Sequence, residues 1–225
     1  MKTKLLPNGL MVIENDQWLS TWIEASGKLC CDPTVTERIV PRLKPGQWIV
    51  DAGASLGDHT GAYAEAVGQA GKVFAFEPQP VPFACLVHNM EPYQQVIPWN
   101  RPLSDDREPL FIQEAMNIGA SYLAPSGLGT ITIPLTLDSM KLERLDYMKI
   151  DVEGMELKVL RGAEQTLKRC RPLLFVELNR GHLSRQVWTP ERIVAYLSGL
   201  DYRIEFLDPS HSLDMEQVDV FFNPL

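Results

Sequence analysis

Apolar runs and amphipathic stretches alternate along most of the chain. Short apolar runs fall at Trp48-Ile49-Val50-Asp51, Lys72–Phe76, Gln95–Asn100, Tyr147–Ile150 and Pro172–Glu177. Helix-like stretches lie between several of them: from Asp58-His59-Thr60 through AYAEAV, over Val81–Met90, and after Glu153-Gly154 with Leu157, Leu160 and Ala163. Strands that alternate with helices predict an α/β fold with a doubly wound, mostly parallel sheet. Towards the end, Thr189-Pro190-Glu191-Arg192 opens a helix, with Thr as cap and Pro at the first position, and Gly199 closes it. Tyr202–Leu207 and Val218–Phe222 predict a terminal antiparallel hairpin, which a mixed sheet accommodates.

The start of the chain has a different pattern. A turn at Pro7-Asn8-Gly9 leads to a short strand, Leu10–Glu14, and a mixed segment with Trp18 and Trp22 that either line a substrate mouth or pack on the main domain. Thr34-Val35-Thr36-Glu37 reads as a capping box for a helix whose apolar face is Val35, Ile39 and Leu43, bent at Pro41. Pro45-Gly46 turns into the first sheet strand, which divides the chain into a cap segment, 1–44, and a main domain, 45–225. Residues 109–134 hold strand-like pieces at Leu110–Gln113, Ala120–Leu123 and Thr130–Pro134, separated by Asn117-Ile118-Gly119 and Pro125-Ser126-Gly127. They predict a hairpin insert that shapes access to the sheet's crevice or covers an edge.

Composition narrows the class. With 225 residues, 45% hydrophobic and 22% charged, the chain suits one globular domain with an ample core. A formal net charge of -8 and no dense Lys/Arg run argue against nucleic acid as a partner. The cysteines, Cys30-Cys31, Cys85 and Cys170, fall in no zinc spacing and read as reduced thiols of a cytoplasmic protein. Pro7, Asn8 and Gly9 interrupt any signal-peptide core, and no run approaches the roughly 20 apolar residues that span a bilayer. No membrane partner is expected, and oligomeric state is not legible.

Candidate chemistry lies where strands end. The first sheet strand runs into Gly53-Ala54-Ser55-Leu56-Gly57, a glycine turn before a helix start, which brings backbone N–H groups close to a ligand. Such turns also arise for geometric reasons. Glu77-Pro78 follows the second strand, and Glu77 lies 20 residues after Gly57, where a nucleotide-binding unit places the acid that bonds a ribose diol. The glycine that would pass a pyrophosphate is missing, and Asp51 would repel phosphate but attract an ammonium or sulfonium. This pattern favours S-adenosylmethionine over NAD. Asn89 is either a helix C-cap or a cofactor-side group, and Ser104-Asp105 either meet the adenine or form a plain turn. His59 either lies over the methionine tail or caps its helix. Asp151, Glu153 and Glu177 gather three acids at later strand ends, with Arg180, His182 and Arg185 following.

Taken together, VDAGASLGDHT (50–60), FEPQP (76–80), Asn89, PLSD (102–105), NIGASYL (117–123), LTLDSM (135–140), MKIDVEGMELKVLRGA (148–163) and RPLLFVELN (171–179) resemble the FkbM-type S-adenosylmethionine-dependent methyltransferases. The resemblance covers roughly residues 45–180. It implies a class I, Rossmann-like methyltransferase fold with a seven-stranded sheet whose last strand is antiparallel. It also implies O-methylation of a sugar or natural-product hydroxyl, with a small-molecule or glycan acceptor. By position, the run Asp51 to Gly57, with Gly53, Ala54 and Ser55, would wrap the methionine part, Glu77 would hold the ribose, and Ser104 and Asp105 would take the adenine, with His59, Thr60, Pro78 and Asn89 as further candidate cofactor-binding residues. Ser55 stands where many members have asparagine. Asp151 would lie close to the transferring methyl; there it either takes the acceptor's proton or orients its hydroxyl, with Glu153, Glu177 and His182 in reserve, or serves as a structural partner of the cofactor's amino group. Oxygen ligands at Asp151, Glu153 and Glu177 would suit magnesium, but the resemblance requires no metal and none is assigned. A non-catalytic cofactor-binding partner protein and an NAD-dependent oxidoreductase stay open as other readings.

Overall fold

The computed structural model describes residues 1–30, 32–115 and 121–225. Cys31, Ala120 and the expected turn at Asn117-Ile118-Gly119 lie outside the described residues. The central sheet has seven strands: β3 (Trp48–Ala52), β4 (Lys72–Phe76), β5 (Val96–Trp99), β9 (Tyr147–Ile150), β10 (Leu173–Asn179), β11 (Tyr202–Phe206) and β12 (Gln217–Pro224). Their order is β11-β12-β10-β9-β3-β4-β5. β3, β4, β5, β9 and β10 run parallel, while β12 is antiparallel to both of its neighbours, β10 and β11. From β3 the chain winds outward through β4 and β5 and then returns to β9 on the other side of β3, so the parallel strands open a crevice at their carboxyl ends where the winding reverses.

β3 and β9 are buried along almost their whole length because helices cover both faces. One face carries α2 (Asp58–Val67) and α3 (Pro80–Asn89), and their cluster includes Ile49, Tyr63, Ala64, Val73 and Leu86. The other carries α4 (Glu156–Arg161), α5 (Glu164–Cys170) and α7 (Pro190–Ser198), around Val50, Met148, Leu160, Leu167 and Ile193. Leu157, Leu160 and Ala163 were expected on one helix, but Gly162 and Ala163 separate two. A Cβ on Gly162 would lie 1.9 Å from the Ser104 carbonyl, so the chain must pass there without a side chain. The segment expected as a loop after β10 forms a short helix, α6 (Arg180–Ser184), capped by Asn179 accepting from the His182 N–H.

The N-terminal segment forms a hairpin, β1 (Thr3–Leu5) with β2 (Met11–Ile13), followed by α1 (Leu19–Ser26). Only its second strand was expected. Leu6, Val12, Ile13 and Ile23 pack on Leu56 and Cys85. The expected capping box does not form. Thr34 is itself helical and makes no side-chain cap, while Asp32 accepts the Thr34 N–H at 2.7 Å. The helix is a wide turn, Val35–Ile39, that tightens into Val40–Arg42 around Pro41. Trp18 and Trp22 stay about half exposed, their rings edge to face 6.0 Å apart. The insert is a three-stranded antiparallel sheet, with β6 (Leu110–Gln113) between β7 (Tyr122–Ala124) and β8 (Ile131–Thr132). Among the described residues no helix is long and apolar enough to cross a membrane.

Candidate active site

A cavity of about 200 Å³ opens at the carboxyl ends of β3, β4, β9 and β10. Gly53 and Ser55 floor it, Glu77 and Pro78 stand at one end, and Asp151, Glu153 and Glu177 at the other. Pro102, Leu103, Ile112 and Leu123 supply an apolar wall, so the insert does line the crevice. Gly53 has φ +85, and a Cβ there would sit 1.8 Å from the Asp151 carbonyl oxygen. Only glycine lets the β3 turn lie against the end of β9 in this way.

The turn is hung from β4. The N–H groups of Gly53 and Ala54 donate to the Phe76 carbonyl, at 3.0 and 2.9 Å. Glu77 accepts from the Ser55 N–H at 3.0 Å through one oxygen and from the Gln79 N–H at 2.8 Å through the other. Each oxygen keeps a lone pair for a ligand hydroxyl. Burial pushes the Glu77 carboxyl up to about 7 despite those two donors.

Beneath the other end lies a lysine that the motif reading passed over. Lys149 is buried in the middle of β9, with Asp51 as its register partner on β3. Its Nζ donates to the Gly53 carbonyl at 2.8 Å and lies 3.1 Å from Asp151 and 3.7 Å from Asp51. Burial opposes its charge, yet Asp151 and Asp51 outweigh burial and raise its affinity for the proton. A lysine in an otherwise apolar parallel strand was the available signal, since a buried charge needs partners.

Asp151 is hydrogen-bonded to Glu177 as well. Burial works against its ionisation, but Lys149 and the Glu177 hydrogen bond hold it below its ordinary range. Burial and the neighbouring Asp151 charge drive Glu177 the other way, so Glu177 keeps the proton of the pair. Burial, then the charges of Asp151 and Glu156, push Glu153 up to about 8. Glu156 reaches back to accept the N–H groups of Gly154 at 3.1 Å and Val152 at 3.3 Å, which ties the loop onto the start of α4. That is the structural content of the D-x-E-G-x-E run.

Other expected site residues stand elsewhere. Asp51 is fully buried below the cavity, accepting from the Thr60 hydroxyl at 2.6 Å, so both support the floor rather than line it. Ala54 is buried, and Gly57, at φ +92, sits at the start of α2. Ser104 is buried, and Asp105 turns towards Lys158 and Arg161, 3.9 Å from each, outside the cavity wall. His59 points to a separate hollow with Trp22, Asp32 and Asp58, lying 3.4 Å from Asp58 and 3.8 Å from Asp32.

Asn89 requires a correction. Its amide oxygen accepts the Met11 N–H at 2.7 Å, and its nitrogen donates to the carbonyls of Met11 and Leu56 at 3.0 and 2.9 Å. It staples the N-terminal hairpin to the glycine turn and does not face the cavity. Asn89→Ala is expected to cost about 1–3 kcal/mol in urea unfolding, because it strands buried backbone groups. Cofactor-analogue affinity measured by calorimetry should move far less than stability.

The raised carboxyls give a pH dependence. Glu77 and Glu156, each pushed up to about 7 first of all by burial, bind protons more tightly folded than unfolded. Their contribution is fully present below the ordinary carboxyl range and is lost as pH rises through about 7. Thermal unfolding of the ligand-free protein should therefore show a higher Tm near pH 6 than near pH 8.

The strand order, the glycine turn and the acid after β4 define a class I, Rossmann-like methyltransferase domain. The FkbM methyltransferase domain model matches residues 51–204. The chain belongs to that family. It is 25% identical over 166 residues to the methyltransferase sdnD of Sordaria araneosa, an alignment covering 56% of this chain and 64% of that protein. It is similar in fold to a solved FkbM methyltransferase from Methylobacillus flagellatus, with a TM-score of 0.60 and 16% identity over 89% of this chain and 52% of that one. It is also similar in fold to a Streptococcus mutans chain solved in complex with SAH, with a TM-score of 0.53 and 12% identity over 83% and 93%. The chain thus spans less than two thirds of the sdnD and Methylobacillus proteins.

Proposed function

We propose that this domain is an S-adenosylmethionine-dependent O-methyltransferase acting on a hydroxyl of a sugar or small natural product. The observation that carries this reading is one cavity with Glu77, the acid that follows β4, at one end and Asp151, held below its ordinary range, at the other. The residues fit the cofactor. Glu77 presents free lone pairs for ribose hydroxyls, Pro78, Pro102, Leu103 and Ile112 offer apolar faces for a base, and the acids favour a cationic amino acid end. When bound, S-adenosylmethionine supplies an electrophilic methyl whose bond to sulfur breaks as a bond to the acceptor oxygen forms, leaving a neutral thioether.

An alcohol is a weak nucleophile until it loses its proton, so a positioned base raises the rate. Asp151 takes that role: Lys149 and Glu177 hold it ionised, and its side chain is one-third exposed towards the cavity. Glu177 and Glu153 keep the surroundings acidic and fix its direction. Asp105 is not given an adenine contact, since its charge is turned to Lys158 and Arg161. The free thiols of Cys85 and Cys170 support a reducing, cytoplasmic setting.

The test offers isotopically methyl-labelled cofactor with a panel of sugars and hydroxylated natural products. Label on an acceptor oxygen supports the reading. Label only on nitrogen or carbon overturns O-methylation, and no calorimetric binding of S-adenosylhomocysteine overturns the cofactor assignment.

A further inference from the structure

The acceptor end of the cavity carries a grouping that proton transfer to Asp151 leaves unused. Glu153, Glu177 and His182 each bring one ligand-type atom within 4.8 Å of the others. They come from the loop after β9, from β10 and from α6. Glu153 Oε2 and His182 Nδ1 lie 2.7 Å apart, an ion pair when the imidazole is protonated and close enough for one ion to take both. Both atoms are closed off from solvent, and neither has a partner in hydrogen-bonding alignment, although they are so close. Away from solvent, the two atoms lack a well-aligned hydrogen bond, which a cation bound to both would replace.

The backbone holds this pairing deliberately tight. Glu153 adopts φ +57, a left-handed conformation uncommon outside glycine. Next to it, a Cβ on Gly154 would sit 2.4 Å from the His182 carbonyl oxygen, so only glycine lets the loop lie this close to α6. Asn179 then fixes the start of α6 through the His182 N–H. Surrounding charge is not already balanced for these groups. Lys149 is taken up chiefly by Asp51, Asp151 and the Gly53 carbonyl, and Arg185 is the nearer cationic influence on Glu153, ahead of Lys149, and also acts on His182.

We propose that Glu153, Glu177 and His182 form a site for one divalent first-row transition-metal cation, such as Mn2+, at the acceptor end of the cavity. With the ion displacing the proton that Glu177 otherwise keeps, two carboxylates and one imidazole suit Mn2+ or Fe2+ better than the all-oxygen preference of Ca2+ or Mg2+. Three protein ligands leave positions open, and Glu153 and Glu177 both line the cavity, so those positions face the acceptor. An ion there polarises the acceptor oxygen and eases passage of its proton to Asp151. That use rests on the methyl-transfer reading, whereas binding of the ion does not.

The experiment titrates Mn2+ into the full chain, stripped with chelator and dialysed, and follows free Mn2+ by electron paramagnetic resonance. One ion per chain is expected. His182→Ala and Glu153→Gln should each weaken it by about tenfold or more, while Asp106→Asn, beyond the cluster, leaves it unchanged. Pulsed resonance on the unaltered complex should show nitrogen coupled to the ion, and this decides the matter even where a variant does not fold. No stoichiometric binding, binding without nitrogen coupling, or affinity unmoved by both variants would overturn the site. Calorimetry with S-adenosylhomocysteine on the same sample separates the two readings. Its binding without Mn2+ binding removes only the metal, and the converse removes only the cofactor.

Discussion

Asp151→Asn is expected to lower turnover by about 10²–10⁴-fold while leaving S-adenosylhomocysteine affinity within a few-fold. The amide matches the carboxylate in shape, so the cavity keeps its outline at the end of β9. It cannot accept a proton, and it no longer balances Lys149, which lies 3.1 Å away. Single-turnover measurements with labelled cofactor separate the two effects, because only the chemical step needs a base. The pH profile adds a second readout. Glu177 keeps its proton because burial and ionised Asp151 both raise its pKa, and the variant removes the second cause. The acid limb itself comes from protonation of Asp151, which, against burial, Lys149 and Glu177 hold below its ordinary range, so it should disappear in the variant. Undiminished turnover would take Asp151 out of the role of proton acceptor.

Lys149→Met is expected to destabilise the fold by about 3–5 kcal/mol, the cost of breaking a buried ion pair by removing one partner. Asp51 is fully buried, and its Oδ1 has no hydrogen-bond partner, so the ammonium 3.7 Å away is what offsets its charge. The same change frees the Gly53 carbonyl and loosens the turn that floors the cavity. Chemical denaturation measures the loss. Adding Asp51→Asn to Lys149→Met should restore part of it, because the stranded charge is then gone. A loss below about 1 kcal/mol, the range of exposed pairs, would show that the triad does not hold the sheet centre.

The parallel strands were legible because burial on both faces leaves continuous apolar runs, as at Trp48–Val50 and Val73–Phe76. Gly53 and Glu77 were legible because the turn and the acid carry geometry that few residues supply. What escaped was set by contacts distant in sequence. Asn89 looks like a helix end locally, yet its partners Met11 and Leu56 are 78 and 33 residues away. Thr34 has a capping-box sequence, but Asp32 captures its N–H first. The break at Gly162 depends on the Ser104 carbonyl, more than fifty residues upstream. Ser104 and Asp105 sit on the expected loop, while Lys158 and Arg161 on α4 decide where Asp105 turns. The short α6 follows from Asn179 capping and brings His182 to Glu153, a meeting no local pattern announces.

The central claim is that the rim of this sheet grips an adenosyl cofactor between Glu77 and Asp151. A crystal soaked with S-adenosylhomocysteine tests it most directly. Density is predicted with the ribose on Glu77, the base against Pro102 and Leu103, and the amino acid end towards Asp151. Density at another place, or none at saturating concentration, would contradict it.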